Sequence, residues 1–132
     1  MRKFSLVVLV AILALMTACS GSPNGRIATP SWFQGEWYDT EGDPFTVSVK
    51  KDNIMIYQNN QLLIDFKSSL ALYDHVIIDS QGSTDTSYQV TFFNTSTRQY
   101  MYINATYTES SDTVVFEYRD PTQFLGILLG RR

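Results

Sequence analysis

Side chains able to do chemistry are sparse in this 132-residue sequence, which holds one histidine and one cysteine. His75 follows Asp74 between apolar residues. A lone histidine cannot build a multi-histidine metal centre, and without a nucleophile elbow it makes no triad. Asp74-His75 therefore reads as a satisfied pair in a sheet or turn. Asp39, Glu41 and Asp43 alternate with Thr40 and Gly42, an oxygen-rich spacing that hard cations favour. Counted from Asp39, however, the EF-hand pattern needs glycine where Pro44 stands and glutamate where Lys50 stands. A solvated hairpin loop is expected instead, with no metal. No glycine-rich phosphate loop is present, and no carboxylate pair stands apart from ordinary strand-edge charges. The expectation is a non-enzymatic protein with no cofactor.

Cys19 is the exception, because its surroundings define a role. Arg2 and Lys3 precede a run from Phe4 to Met16 that is apolar except for Ser5, and Thr17-Ala18 leads into the cysteine. A charged start, a short apolar stretch and a small-residue cleavage site describe an export signal over residues 1–18. As a helix that run is roughly 20 Å long, short of a bilayer core of about 30 Å. Leu15-Met16-Thr17-Ala18-Cys19 resembles the lipobox of bacterial lipoproteins, with Met16 where leucine is usual. The resemblance implies cleavage before Cys19, a diacylglyceryl group on its sulfur and acylation of the new amine. The alternative is an ordinary secreted protein with an incidental cysteine. Acyl chains contribute about 0.8 kcal/mol per buried CH₂ and stable anchoring takes more than one chain, which such a cysteine supplies. Ser20 in place of aspartate after the cysteine implies, by the same resemblance, the outer membrane. The expected localisation is the bacterial cell envelope, with the membrane as partner through Cys19.

Loss of Arg2 and Lys3 leaves 8 of the 10 basic residues against 13 acidic ones, a net charge of about −5. Such a surface repels phosphate backbones, so nucleic acid is not an expected partner. Acylation would leave no thiol for a disulfide, a metal or catalysis. The segment Ser20-Gly21-Ser22-Pro23-Asn24-Gly25-Arg26-Ile27-Ala28-Thr29-Pro30-Ser31 reads as a flexible tether, so residues 19–31 are the lipidated cysteine and linker. One domain, 32–132, follows.

Period-2 alternation dominates that domain. Phe45, Val47 and Val49 alternate with Thr46, Ser48 and Lys50, and the same pattern recurs around Leu62-Ile64-Phe66, Tyr88-Val90-Phe92, Met101-Ile103-Ala105-Tyr107 and Val114-Phe116-Tyr118. Alternation puts one residue set on each face of a half-buried antiparallel sheet. Turn chemistry at Glu41-Gly42-Asp43-Pro44, Asn59-Asn60, Gln81-Gly82-Ser83 and Asn94-Thr95-Ser96-Thr97 bounds about eight strands. They span 35–40, 45–50, 53–58, 61–69, 72–79, 86–94, 98–108 and 113–119. The expected fold is all-β, a small antiparallel up-and-down barrel; a two-sheet sandwich is the alternative. No helical period shows between 32 and 120. The apolar segment from Phe124 to Leu129 is expected to pack on the domain, as a last strand or a short helical turn.

Gly35-Glu36-Trp37-Tyr38, at the first strand, resembles the Gly-x-Trp signature of the lipocalin and related calycin barrels. In that family the tryptophan closes one barrel end and an arginine near the end of the last strand lies over it. The resemblance assigns that arginine to Arg119, and an arginine on an indole face gains about 0.5–2 kcal/mol. Thr84-Asp85 followed by Tyr88 partly matches the family's Thr-Asp-Tyr turn. The domain is shorter than a typical lipocalin, with no room for the long lid loop or the packed C-terminal helix.

The inward set is then Val47, Val49, Ile54, Ile56, Ile64, Phe66, Val76, Ile78, Val90, Phe92, Ile103, Ala105, Val114 and Phe116. Eight-stranded barrels can be filled by such residues or can hold one small ligand. If hollow, the lining would be Val47, Ile56, Ile64, Phe66, Ile78, Val90, Phe92, Ile103 and Phe116. Met55, Tyr57, Phe93, Tyr100 and Tyr102 fall on the outward face, where a contiguous patch would mark a partner surface or the seat of the C-terminal segment. Two functions follow as expectations. One is a lipid-anchored binder of a small apolar or amphipathic ligand, and the other is an envelope structural or interaction module with a filled barrel and a protein partner.

Overall fold

The computed structural model describes residues 25–42 and 44–131. The export signal expected over residues 1–18, Cys19 and Asp43 lie outside the described residues. The described residues form nine antiparallel strands: β1 Gly35–Asp39, β2 Phe45–Lys50, β3 Asn53–Gln58, β4 Gln61–Asp65, β5 Val76–Ser83, β6 Ser87–Asn94, β7 Gln99–Thr108, β8 Thr113–Asp120 and β9 Gln123–Gly130. One α-helix among the described residues, α1 Phe66–Leu72, joins β4 to β5. All nine strands form one sheet in the order β4-β3-β2-β1-β9-β8-β7-β6-β5, curled into a half-barrel. A two-sheet sandwich is therefore not the architecture.

The C-terminal apolar segment is β9, inserted between β1 and β8. It is a strand because it alternates: Leu125 and Leu129 face Tyr118 and Val114, while Phe124 and Leu128 point outward beside Arg119 and Val115. That seat in the sheet rules out its lying across the outer aromatic face. Met55 and Tyr57 on β3 and Phe93, Tyr100 and Tyr102 on β6 and β7 are also separated by four intervening strands, so they form no single patch.

The strand expected at 61–69 is cut short by α1, and the one expected at 72–79 is displaced to Val76–Ser83, so that Gln81-Gly82-Ser83, expected as a turn, lies within β5. Asp65 caps this helix by accepting from the Ser68 N–H at 3.0 Å. Phe66 and Leu70, one turn apart, are its buried residues. Helix replaces strand here because β4 and β5 are the two sheet edges and have no strand between them. The gap is covered by α1 and by the chain at 25–29.

That chain segment, expected as part of the tether, is packed. Ile27 is buried, Ala28 N–H donates to Gln81 Oε1 at 2.8 Å, and Gln81 Nε2 donates to the Arg26 carbonyl at 3.0 Å. Thr29 N–H donates to the Lys51 carbonyl at 3.0 Å. A 3₁₀ turn, Ser31–Phe33, then drops Phe33 into the core. Of the fourteen residues expected to face inward, twelve are buried, and Ile64 and Ile78 are partly buried against them.

Candidate functional site

The half-barrel has two unlike ends. At one, Phe33 and Trp37 are fully buried, and Trp37 Nε1 donates to the Phe33 carbonyl at 2.7 Å. The cation over the Trp37 indole is Arg131, 3.9 Å from the ring centroid. The expected Trp37–Arg119 pair is thus corrected. Arg119 points outward on β8 and lies over Phe124 at 4.6 Å. The last strand is β9, not β8, so the arginine that follows the last strand is Arg131.

Arg131 donates to the carbonyls of Trp32 and Gln34 at 2.8 and 3.1 Å, and pairs with Asp112 at 3.4 Å. Its guanidinium occupies the space over Gly35, where an added Cβ would come within 2.7 Å of Nη1. Gly35 also has φ +130°, a conformation that side chains rarely adopt. Glycine, tryptophan and arginine are one packing unit. Trp32 extends the seal, stacking on Tyr107 at 5.3 Å and donating to the Thr84 carbonyl at 2.9 Å. Below this cap Val47, Val90, Ile103, Val114 and Phe116 all sit at 0 % exposure. As ligand-lining residues Val47, Val90, Ile103 and Phe116 are therefore corrected: they fill the interior. Ile78 packs against Gly25 rather than lining a hollow.

The opposite end is open. Phe45, Ile56, Gln58, Ile64, Tyr118 and Leu125 bound a recess of about 310 Å³, completed by Leu63, Gln123 and Phe124. Register explains the convergence, since Phe45 faces Gln58, Ile56 faces Ile64, and Tyr118 faces Leu125 across adjacent strands. Beneath it, a smaller recess of about 60 Å³ lies among Ile64, Phe66, Leu70, Val76, Phe92, Met101 and Tyr118. Phe66 stacks on Phe92 at 5.3 Å and meets Tyr118 edge-on at 5.9 Å, forming an aromatic floor. Of the expected lining, Ile56, Ile64, Phe66 and Phe92 belong here. Phe45, Gln58, Met101, Tyr118 and Leu125 were missed, although Phe45 and Tyr118 continue the inward alternation of Val47 and Phe116.

Polar groups at this mouth gather on Asp120. Tyr118 Oη donates to its carboxylate at 2.6 Å, Thr122 N–H at 2.8 Å and Gln123 N–H at 3.0 Å, with Gln123 Nε2 at 3.2 Å. Burial opposes ionisation of Asp120, but these donors outweigh it and hold its pKa down to about 2. Burial and the same bond push the Tyr118 phenol well above its ordinary value. The mouth thus has a mixed lining, apolar side chains beside Gln58, Gln123 and the Tyr118 phenol, with Asp120 held next to it by Tyr118 and Gln123.

Elsewhere, Asp74-His75 lies in the turn entering β5, where the His75 carbonyl accepts from Thr95 N–H at 2.7 Å. Asp39 accepts from Glu41 N–H at 2.8 Å within its own loop, and no acidic or histidine cluster suited to a metal occurs among the described residues. The described residues include no helix long and apolar enough to cross a membrane. In comparisons with known proteins, no family model, curated protein or solved structure matches the chain.

Proposed function

We propose that this is a lipid-anchored, non-enzymatic cell-envelope protein whose curled sheet receives a small apolar or amphipathic ligand at its open mouth, as a shortened lipocalin-like barrel. The recess of about 310 Å³, bounded by the inward Phe45, Ile56, Ile64, Tyr118 and Leu125 and by the rim residues Leu63 and Phe124, carries the reading. It stands at the lower end of the range for small-molecule sites, about 300–1,000 Å³, which fits one chain end or a compact ligand inserted shallowly. The Gly35–Trp37–Arg131 unit supports kinship with lipocalin-like barrels, and the lipobox at Cys19 supports the anchor.

Titration with a fluorescent fatty-acid analogue tests the site. Ile64→Trp, which crowds the mouth, should weaken binding at least tenfold while the melting temperature stays within a few degrees. Equal binding by both proteins would sink the proposal. Palmitate labelling of cells should mark the wild-type chain and not Cys19→Ala. The second reading, an envelope interaction module, is favoured by the exposed Tyr100, whose ring meets Phe93 at 4.8 Å. It requires that Tyr100→Ala abolish partner capture without unfolding the domain.

A further inference from the structure

The point at which the tether leaves the fold determines which face can meet a membrane. Only five residues, 20–24, separate Cys19 from Gly25. At about 3.3–3.6 Å per residue, fully stretched, they reach on the order of 20 Å. From Gly25 onward the chain is fixed. An added Cβ at Gly25 would touch Ile78 Cβ at 3.0 Å, Gln81 clamps Arg26 and Ala28, and Ile27 is buried. The exit therefore lies at the β5 edge, and Gly25 and Arg26 share a groove of about 150 Å³ with Leu70 and Ala71 of α1.

The residues next along the chain are Leu72, 74 % exposed, and Tyr73, 50 % exposed. Continuity also runs the other way, since Leu70 and Ile64 line the inner recess and Ile64 and Leu63 line the mouth. An aliphatic side chain beside a half-exposed tyrosine is the pairing that suits a membrane–water interface.

We infer that the α1 corner, Leu72 with Tyr73, rests on the lipid surface that holds the acyl chains of Cys19, with the mouth beside it. The inference rests on the lipid-anchor reading proposed above. A short flexible linker raises the effective concentration of the second contact to the millimolar range. So small a patch suffices when tethered, although it would not hold a free domain with a net charge of about −5 on an anionic bilayer.

The test uses the full lipidated chain in phosphatidylethanolamine–phosphatidylglycerol vesicles that contain a lipid carrying a nitroxide quencher. Leu72→Cys and, on the outer face of β8, Val115→Cys are each labelled with a fluorophore; both positions are exposed, so neither change disturbs the core. Quenching several-fold greater at 72 than at 115, with both proteins co-floating with vesicles, is the expected result. Co-flotation with equal, weak quenching at both positions would overturn the docked face and leave the anchor standing. Failure to co-float would overturn the anchor, and the docking inference with it.

Discussion

The sealed end and the open mouth of this sheet draw on the same alternating strands, yet they are finished in opposite ways. At the sealed end every large group has a partner: the Trp37 indole has a carbonyl at its N–H edge and a guanidinium over its face, and Arg131 has two carbonyls and Asp112. At the mouth Phe45, Ile64 and Leu125 pack on the core from one side only, and Leu63 and Phe124 are half exposed. Apolar surface left uncovered costs about 25 cal/mol per Å². A cap comparable to Phe33 would have removed it, and none is present among the described residues. The difference is one of packing: one end is sealed by partnered aromatic and charged groups, and the other leaves apolar surface uncovered.

That contrast can be broken by substitution. Trp37→Ala should cost the most, about 3–5 kcal/mol as for buried aromatic truncations, read as a shifted urea midpoint; a loss under about 1 kcal/mol would mean the sealed end does not hold the fold. Gly35→Ala comes next, at about 1–3 kcal/mol, because it combines a positive φ with a collision against Arg131. Arg131→Ala should lose about 1–3 kcal/mol from the indole contact and two charged hydrogen bonds, whereas Arg119→Ala, over the exposed Phe124, should fall within about 0.5 kcal/mol. Matching losses for the two arginines would erase the distinction between them.

At the mouth the expected effects are smaller and depend on pH. Asp120 has a folded pKa below its unfolded value, so its contribution is fully present above about pH 4 and is lost as pH falls through about 2. Thermal melts of wild type should therefore decline across that window more steeply than those of Asp120→Asn. Parallel curves would show that the Tyr118–Asp120 corner adds nothing to the fold. Smallest of all, Tyr100→Ala should leave the melting temperature nearly unchanged, as expected for a surface side chain.

The strands were legible because period 2 is written directly in residues such as Val47-Val49, Tyr88-Val90-Phe92 and Val114-Phe116, and burial follows it. Helix α1 was not, because Leu62-Ile64-Phe66 continues the alternation of the strand before it. Only Asp65 as a cap, with Phe66 and Leu70 four apart, marks the change of period. The arginine is hidden for a related reason: Phe124 to Leu129 fits a strand or a helical turn equally well, so Arg119 stands at the end of the last strand that alternation defines, whereas Arg131 covers Trp37.

By itself the sequence determined the all-β class, the inward residue set and the paucity of histidine and cysteine, and it carries the expectation of a lipobox before Cys19. Each is a property of residue type and local spacing. Tertiary structure decided that β9 joins β1, that Arg131 rather than Arg119 covers Trp37, and that Ile27 belongs to the core. It also decided that the inward face is filled at one end and open at the other. Alternation states which side of a strand is buried. Which side chains meet across the curled sheet depends on strand order and register, and those are set by contacts between residues up to 99 positions apart, as Trp32 and Arg131 are.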